Sequence, residues 1–136
     1  MKSFFQLKFL PPNPGLALFV LRVWLGLSMI ALHGRGKLVK LVNGDFSFGN
    51  PIGIGGKWTL ILAVTLEILG SACLIFGFCG RFAAALLAIM LGVAFVQYHN
   101  MQLTGGAGSG ELAFIYMAGF VTIVLAGTGK FGVDRP

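Results

Sequence analysis

The 136 residues are 57% hydrophobic and only 10% charged, with a mean hydropathy of +0.90. So few charges cannot coat the outer faces of four helices in water, which argues against a soluble all-α domain and for one membrane domain over residues 1–136. The net charge is +6, but the basic residues stand singly at the ends of apolar stretches and form no stripe, so the lipid bilayer and not nucleic acid is the expected partner.

The chain opens with Lys2 and Lys8 ahead of an apolar run, which is the order of a secretory signal. Pro11, Pro12 and Pro14 interrupt that order, Arg22 cuts the apolar run and no small-x-small cleavage site follows, so the first span is expected to remain in the protein. It covers residues 16–32, with Pro14 near its first turn, where a missing N–H is harmless. Three more apolar stretches lie at 58–78, 82–98 and 112–127. Each is near the roughly 17–25 residues that carry a helix across a bilayer's hydrocarbon core. The predicted fold class is an all-α membrane protein, a four-transmembrane-helix bundle.

The connections are short. Residues 43–57 are Gly-rich and semi-apolar, and the run from Gly105 to Gly110 lies between two spans, without the strand-to-helix context of a phosphate-binding loop. Cys73 and Cys79, six residues apart on a continuous helix, are separated by about 9 Å of rise and read as apolar fillers, not as a disulfide. Four spans place both termini on one side, with Lys2, Lys8, Arg81, Lys130 and Arg135; Arg35, Lys37, Lys40 and Lys57 lie opposite. The positive-inside rule then favours cytoplasmic termini. Small residues predict the helix seams, because close backbone approach drives packing in lipid: Ala85, Ala88 and Gly92 on the third span, Ala118, Gly119, Thr122 and Ala126 on the fourth.

Two spans hold a charge within them, Arg22 and Glu67, and an ionisable group at depth needs a partner, a wet cavity or a task. Counting 1.5 Å per residue from the span ends puts Arg22 about 9–10 Å and Glu67 about 15 Å into the bilayer from the termini side, a gap that an arginine side chain closes. An Arg22–Glu67 ion pair is therefore expected. Arg22, Gly26, Met29, His33 and Lys37 share a narrow sector of the first helix. At the opposite end His33 and Lys37, Tyr98 and His99, and Glu111 and Tyr116 come from three helices to one depth. His33, His99, Glu111 and Tyr116 are the candidate catalytic set, since histidine beside a carboxylate and a phenol relays protons or hydrogen-bonds a quinone carbonyl. A metal at His33, His99 and Glu111 is disfavoured, because neither an H-x-x-x-H nor an E-x-x-H spacing occurs.

LRVWLGLSMIALHGRGKL with Arg22, Gly26, His33, Gly34 and Lys37, the stretch LEILG…GFCGRF with Glu67, Gly70, Gly77 and Arg81, GELAFIYMAGF with Glu111 and Tyr116, and the closing GTGKFGVD stand in register. In this order they resemble the DoxX family of small bacterial membrane proteins, over about residues 15–134. The resemblance implies a four-helix protein of the bacterial inner membrane, associated with a partner oxidoreductase or a larger membrane complex, with quinone as the candidate cofactor and none bound covalently. It assigns no catalytic role to a particular residue. Residues and resemblance together point to a subunit supporting quinone-linked electron or proton transfer, without independent enzymatic activity. The alternative is a non-catalytic membrane anchor or assembly subunit. A separate small-molecule or proton pathway is disfavoured, because no span is visibly broken in mid-membrane and no inverted repeat is apparent.

Overall fold

The computed structural model describes residues 2–134, which hold only helices and their connections. A one-turn helix α1 (Lys2–Phe5) precedes four long ones: α2 (Pro14–Val42), α3 (Gly56–Phe76), α4 (Gly80–Tyr98) and α5 (Glu111–Ala126). Three of the long helices are long and apolar enough to cross a membrane. The fourth, α5, has 16 residues, about 24 Å of rise against a hydrocarbon core of about 30 Å. The fold is a four-helix membrane bundle. Trp24, Leu32, Leu69, Phe82, Ile89, Ile115 and Leu125 all stand on its outside, and so broad an apolar surface is suited to lipid, not water.

Asn13 starts α2 by accepting the Leu16 N–H at 3.0 Å, with Pro14 in the first turn as expected. The helix then runs ten residues beyond the predicted end at 32. Hydropathy falls there because Arg35, Lys37 and Lys40 enter, but a helix of which the last turns leave the hydrocarbon keeps its backbone bonds. At Ile30–Gly34, Leu66–Gly70 and Ala94–Tyr98 the long helices widen into π-turns. Each π-turn adds a residue and shifts the phase of the helix beyond it. On α2 the buried stripe runs Gly15, Arg22, Gly26, Met29 and then Gly34, so the glycine takes the inward place that unbroken periodicity assigns to His33.

Gly26 allows α2 and α3 to touch: a Cβ there would lie 2.8 Å from Ile75 Cγ1 and 3.0 Å from the Ser71 carbonyl. Helices α4 and α5 pack extensively on each other. Their seam keeps part of the expected one on α4, where Ala88 packs against the core and a Cβ on Gly92 would lie 3.6 Å from Met117 Sδ, and departs from it on α5. Ala83, Ala84, Leu87 and Leu91 are buried on α4, and on α5 the buried residues are Ala113 and the large Tyr116, Phe120 and Ile123, with Ala118, Thr122 and Ala126 outside. The large side chains of α5 pack into the space left by the alanines of α4. Gly119 is the part of the α5 expectation that holds, since a Cβ there would meet Leu25 Cδ1 of α2 at 2.7 Å.

The 43–55 connection folds over the end of the bundle opposite the chain termini. Lys40 and Asp45 form an ion pair at 3.4 Å, Ser47 donates its hydroxyl and its N–H to Asp45, and Gly49 packs against the ring of Tyr98 at the end of α4. The Ser47 bonds, helped by Lys40, hold the Asp45 carboxyl below the usual carboxylate range. Its contribution to loop order is present above the ordinary aspartate range and is lost as pH falls through the lowered folded value. Both thiols are free, Cys73 half-buried and Cys79 exposed. Of the basic residues that orient the chain, Arg135 and the side chain of Lys2 lie outside the described residues.

Candidate functional site

Arg22 and Glu67, the two charges within the spans, do not meet. Antiparallel packing sets Gly26 of α2 against Ser71 and Ile75, and Gly34 against Glu67 and Ile68. Arg22 therefore lies level with the last turn of α3, and Glu67 lies two turns further towards the opposite end. The first two turns of α2 project past the end of α3, so depths counted from the span ends do not share an origin. Arg22 is fully buried. Its Nη1 donates to the carbonyls of Leu74 at 2.5 Å and Ile75 at 2.7 Å, and its Nη2 to that of Phe131 at 2.6 Å. A cation at a helix C-terminus is favoured by the carbonyls left without intrahelical partners. Gly77 makes the site possible, with φ +65 and so little room that a Cβ would lie 2.5 Å from Gly132 Cα and 2.8 Å from Arg22 Nη1. The closing GTGKFGVD completes it. Val133 and Asp134 donate their N–H groups to Phe76 and Gly77, and the Asp134 carboxylate accepts the Gly80 N–H at the start of α4.

Glu67 pairs instead with Lys37, Nζ to Oε1, at 2.6 Å, with the carboxylate side chain 5% and the lysine 23% exposed. The lysine reaches inward from the interfacial end of α2, keeping part of its stem towards solvent. Around this pair lies a polar interior. Glu67 Oε2, Ser71 Oγ and His33 Nε2 are buried and have no hydrogen-bond partner among the described residues. Both intervals, His33 to Lys37 and Glu67 to Ser71, run through π-turns, so regular i, i+4 spacing does not set which of these groups share a face. A buried polar atom left without a bond costs about 1–3 kcal/mol, and two of the three π-turns sit at His33 and Glu67.

The phase shift at Ile30–Gly34 turns His33 sideways from Glu67's helix towards α5. Its ring stands edge-on to Tyr116, centroids 5.5 Å apart at 87°. Tyr116 is buried, is followed inward by Phe120, and forms one wall of a groove of about 320 Å³ between α2 and α5. Trp24, Leu25, Ser28 and Ile115 line the rest. Trp24 and Ile115 are exposed, so the groove is open on the lipid-facing side of the bundle.

The other half of the expected catalytic set stands apart. His99 Nδ1 lies 2.9 Å from the Gly108 carbonyl, and its ring is edge-on to Tyr98. Glu111 is exposed in the first turn of α5, where a carboxylate suits the positive helix end. Among the described residues, no three histidine, cysteine or acidic side chains converge as metal ligands. The structure thus brings together His33 and Tyr116, and pairs Lys37 with Glu67; His99 and Glu111 belong to the loop-side rim. Ser71 was legible only as the residue one turn after Glu67. The π-turns had no signal beyond Gly34 and Gly70.

The model of the DoxX family matches residues 17–100, which takes in Arg22, His33, Lys37, Glu67 and His99. An uncharacterised protein of Haemophilus influenzae is 30% identical over 115 residues, covering 79% of this chain and 81% of that protein. No solved structure matches the chain.

Proposed function

The chain belongs to the DoxX family, and from that premise we propose that it is an inner-membrane subunit with cytoplasmic termini that gives a partner oxidoreductase a site for a quinone headgroup. The supporting observation is the lateral groove with Tyr116 in its wall and His33 behind it. A quinone is an apolar ring with two carbonyl acceptors, reached from the bilayer by lateral diffusion. An apolar groove open to lipid, with a phenol and an imidazole at its inner side, matches both features. Reduction of a quinone takes two electrons and two protons. The electrons would come from the partner's redox centre, while His33 and the Lys37–Glu67 pair are the groups of this chain able to hold protons nearby. His99 and Glu111 would serve at the water-facing rim.

One observation favours the non-catalytic anchor. Both terminal nitrogens of Arg22 hold α3 to the C-terminal tail, so one of the two charges within the spans has a structural task. Purification in mild detergent with identification of the accompanying proteins, followed by quinone extraction, separates the two readings. The quinone-site reading expects a redox partner and quinone that is depleted in Tyr116→Ala. A partner retained together with unchanged quinone content in that variant would favour the anchor.

A further inference from the structure

We propose that the termini end of the bundle carries a site for one anionic phospholipid, seated in a groove of about 600 Å³ between the start of α2, the start of α4 and the chain that leaves α5. Its charged lining is Arg81, Lys130 and Asp134. The Arg81 Nε donates to the Val124 carbonyl at 2.9 Å, which fixes the guanidinium across the end of α5. Its two Nη groups have no bond among the described residues. The stem of Lys130 lies over Gly15, where a Cβ would meet its Cγ at 3.3 Å, and no carboxylate is within ion-pair distance of its ammonium among the described residues. Asp134 opposes them, but its carboxylate already accepts the Gly80 N–H at the positive end of α4. The balance is two cations to one engaged anion.

The apolar lining specifies the rest of the ligand. Leu18, Phe82 and Leu125 border the groove, with Phe82 67% and Leu125 78% exposed. Phe82 and Leu125 face outward on helices of the membrane bundle, so they lie where acyl chains run, next to cations at the headgroup level. A free phosphate satisfies the cations and leaves these walls unused. A zwitterionic lipid satisfies the walls and brings its own cation. An anionic phospholipid matches both, as basic pockets between membrane helices do. This site lies at the other end of α2 from His33 and stands or falls independently of the quinone reading.

The test is native mass spectrometry of the full chain in mild detergent, with phosphatidylglycerol and phosphatidylcholine of the same acyl length in equal amounts. The wild type should retain phosphatidylglycerol preferentially. Lys130→Gln should lower that preference about fivefold, Lys130→Arg should keep it, and Lys57→Gln at the opposite end should leave it unchanged. Arg81→Gln gives the same reading where the protein remains folded, and Lys130→Gln decides the matter if it does not. Inorganic phosphate at equal concentration should not displace the lipid. Equal retention of the two lipids, a preference untouched by Lys130→Gln, the same loss with Lys57→Gln, or displacement by phosphate would each overturn the proposal.

Discussion

Arg22 has the largest fully buried side chain among the described residues, and its charge is stabilised by backbone carbonyls instead of a carboxylate. Hydrogen bonds to a charged group contribute about 1.5–3 kcal/mol each, so Arg22→Gln is expected to lower the melting temperature in detergent sharply. Ending the chain after Lys130 should lower it less, because only the Phe131 carbonyl and the tail contacts are lost. Equal melting of Arg22→Gln and the wild type would deny the arginine that structural role. The second residue-scale expectation concerns Lys37 and Glu67. Lys37→Met and Glu67→Gln should show a coupling of about 1–3 kcal/mol in a double-mutant cycle, whereas Arg22→Gln and Glu67→Gln should be additive within about 0.5 kcal/mol. Composition shows that both charges need partners. It does not show which, because the partner of Arg22 is main chain, which every sequence has.

At the scale of the helix, the number of spans is legible in the sequence, since it depends on runs of apolar residues. The end of α2 is not, because polarity changes there and the hydrogen-bond ladder does not. Nor are the π-turns, since one extra residue in a turn leaves no mark in composition. That omission is what placed His33 in one sector with Arg22 and Lys37, and it is why the pairing of His33 with Tyr116 was not legible. Two glycines test the helix register. Gly36 of α2 has open space around it, so Gly36→Ala is expected to be neutral or to raise stability by about 0.5–1 kcal/mol. Gly77→Ala should be strongly destabilising, because its Cβ meets the backbone of Gly132 at 2.5 Å and its φ is +65. Thermal melts of the two variants side by side give the comparison; a Gly77→Ala protein as stable as Gly36→Ala would contradict the tail's close packing on the α3 end.

Across the whole molecule the polar groups divide between the two ends. At the termini end Arg22, Gly77 and Asp134 join α2, α3, α4 and the tail. Towards the other end lie the Lys37–Glu67 pair, with Ser71 one turn along α3, and His33 against Tyr116, which lines the α2–α5 groove. The sequence-level expectation of a single mouth made by His33, His99, Glu111 and Tyr116 merged two places, the groove and the rim. They are told apart by what each residue touches, which spacing along three different helices does not specify. Entry of a quinone headgroup into this groove is the step on which the proposed function rests. It is tested by photo-crosslinking of the purified protein in lipid nanodiscs with a short-chain azidoquinone, with the labelled peptides identified by mass spectrometry. Labelling is expected on the segments containing Trp24 to Ser28 and Ile115 to Tyr116, suppressed by excess unlabelled quinone and reduced at least several-fold in His33→Ala but not in Glu111→Gln. Labelling spread over the lipid-facing surface, insensitive to unlabelled quinone and unchanged in His33→Ala, would contradict a quinone site in the groove.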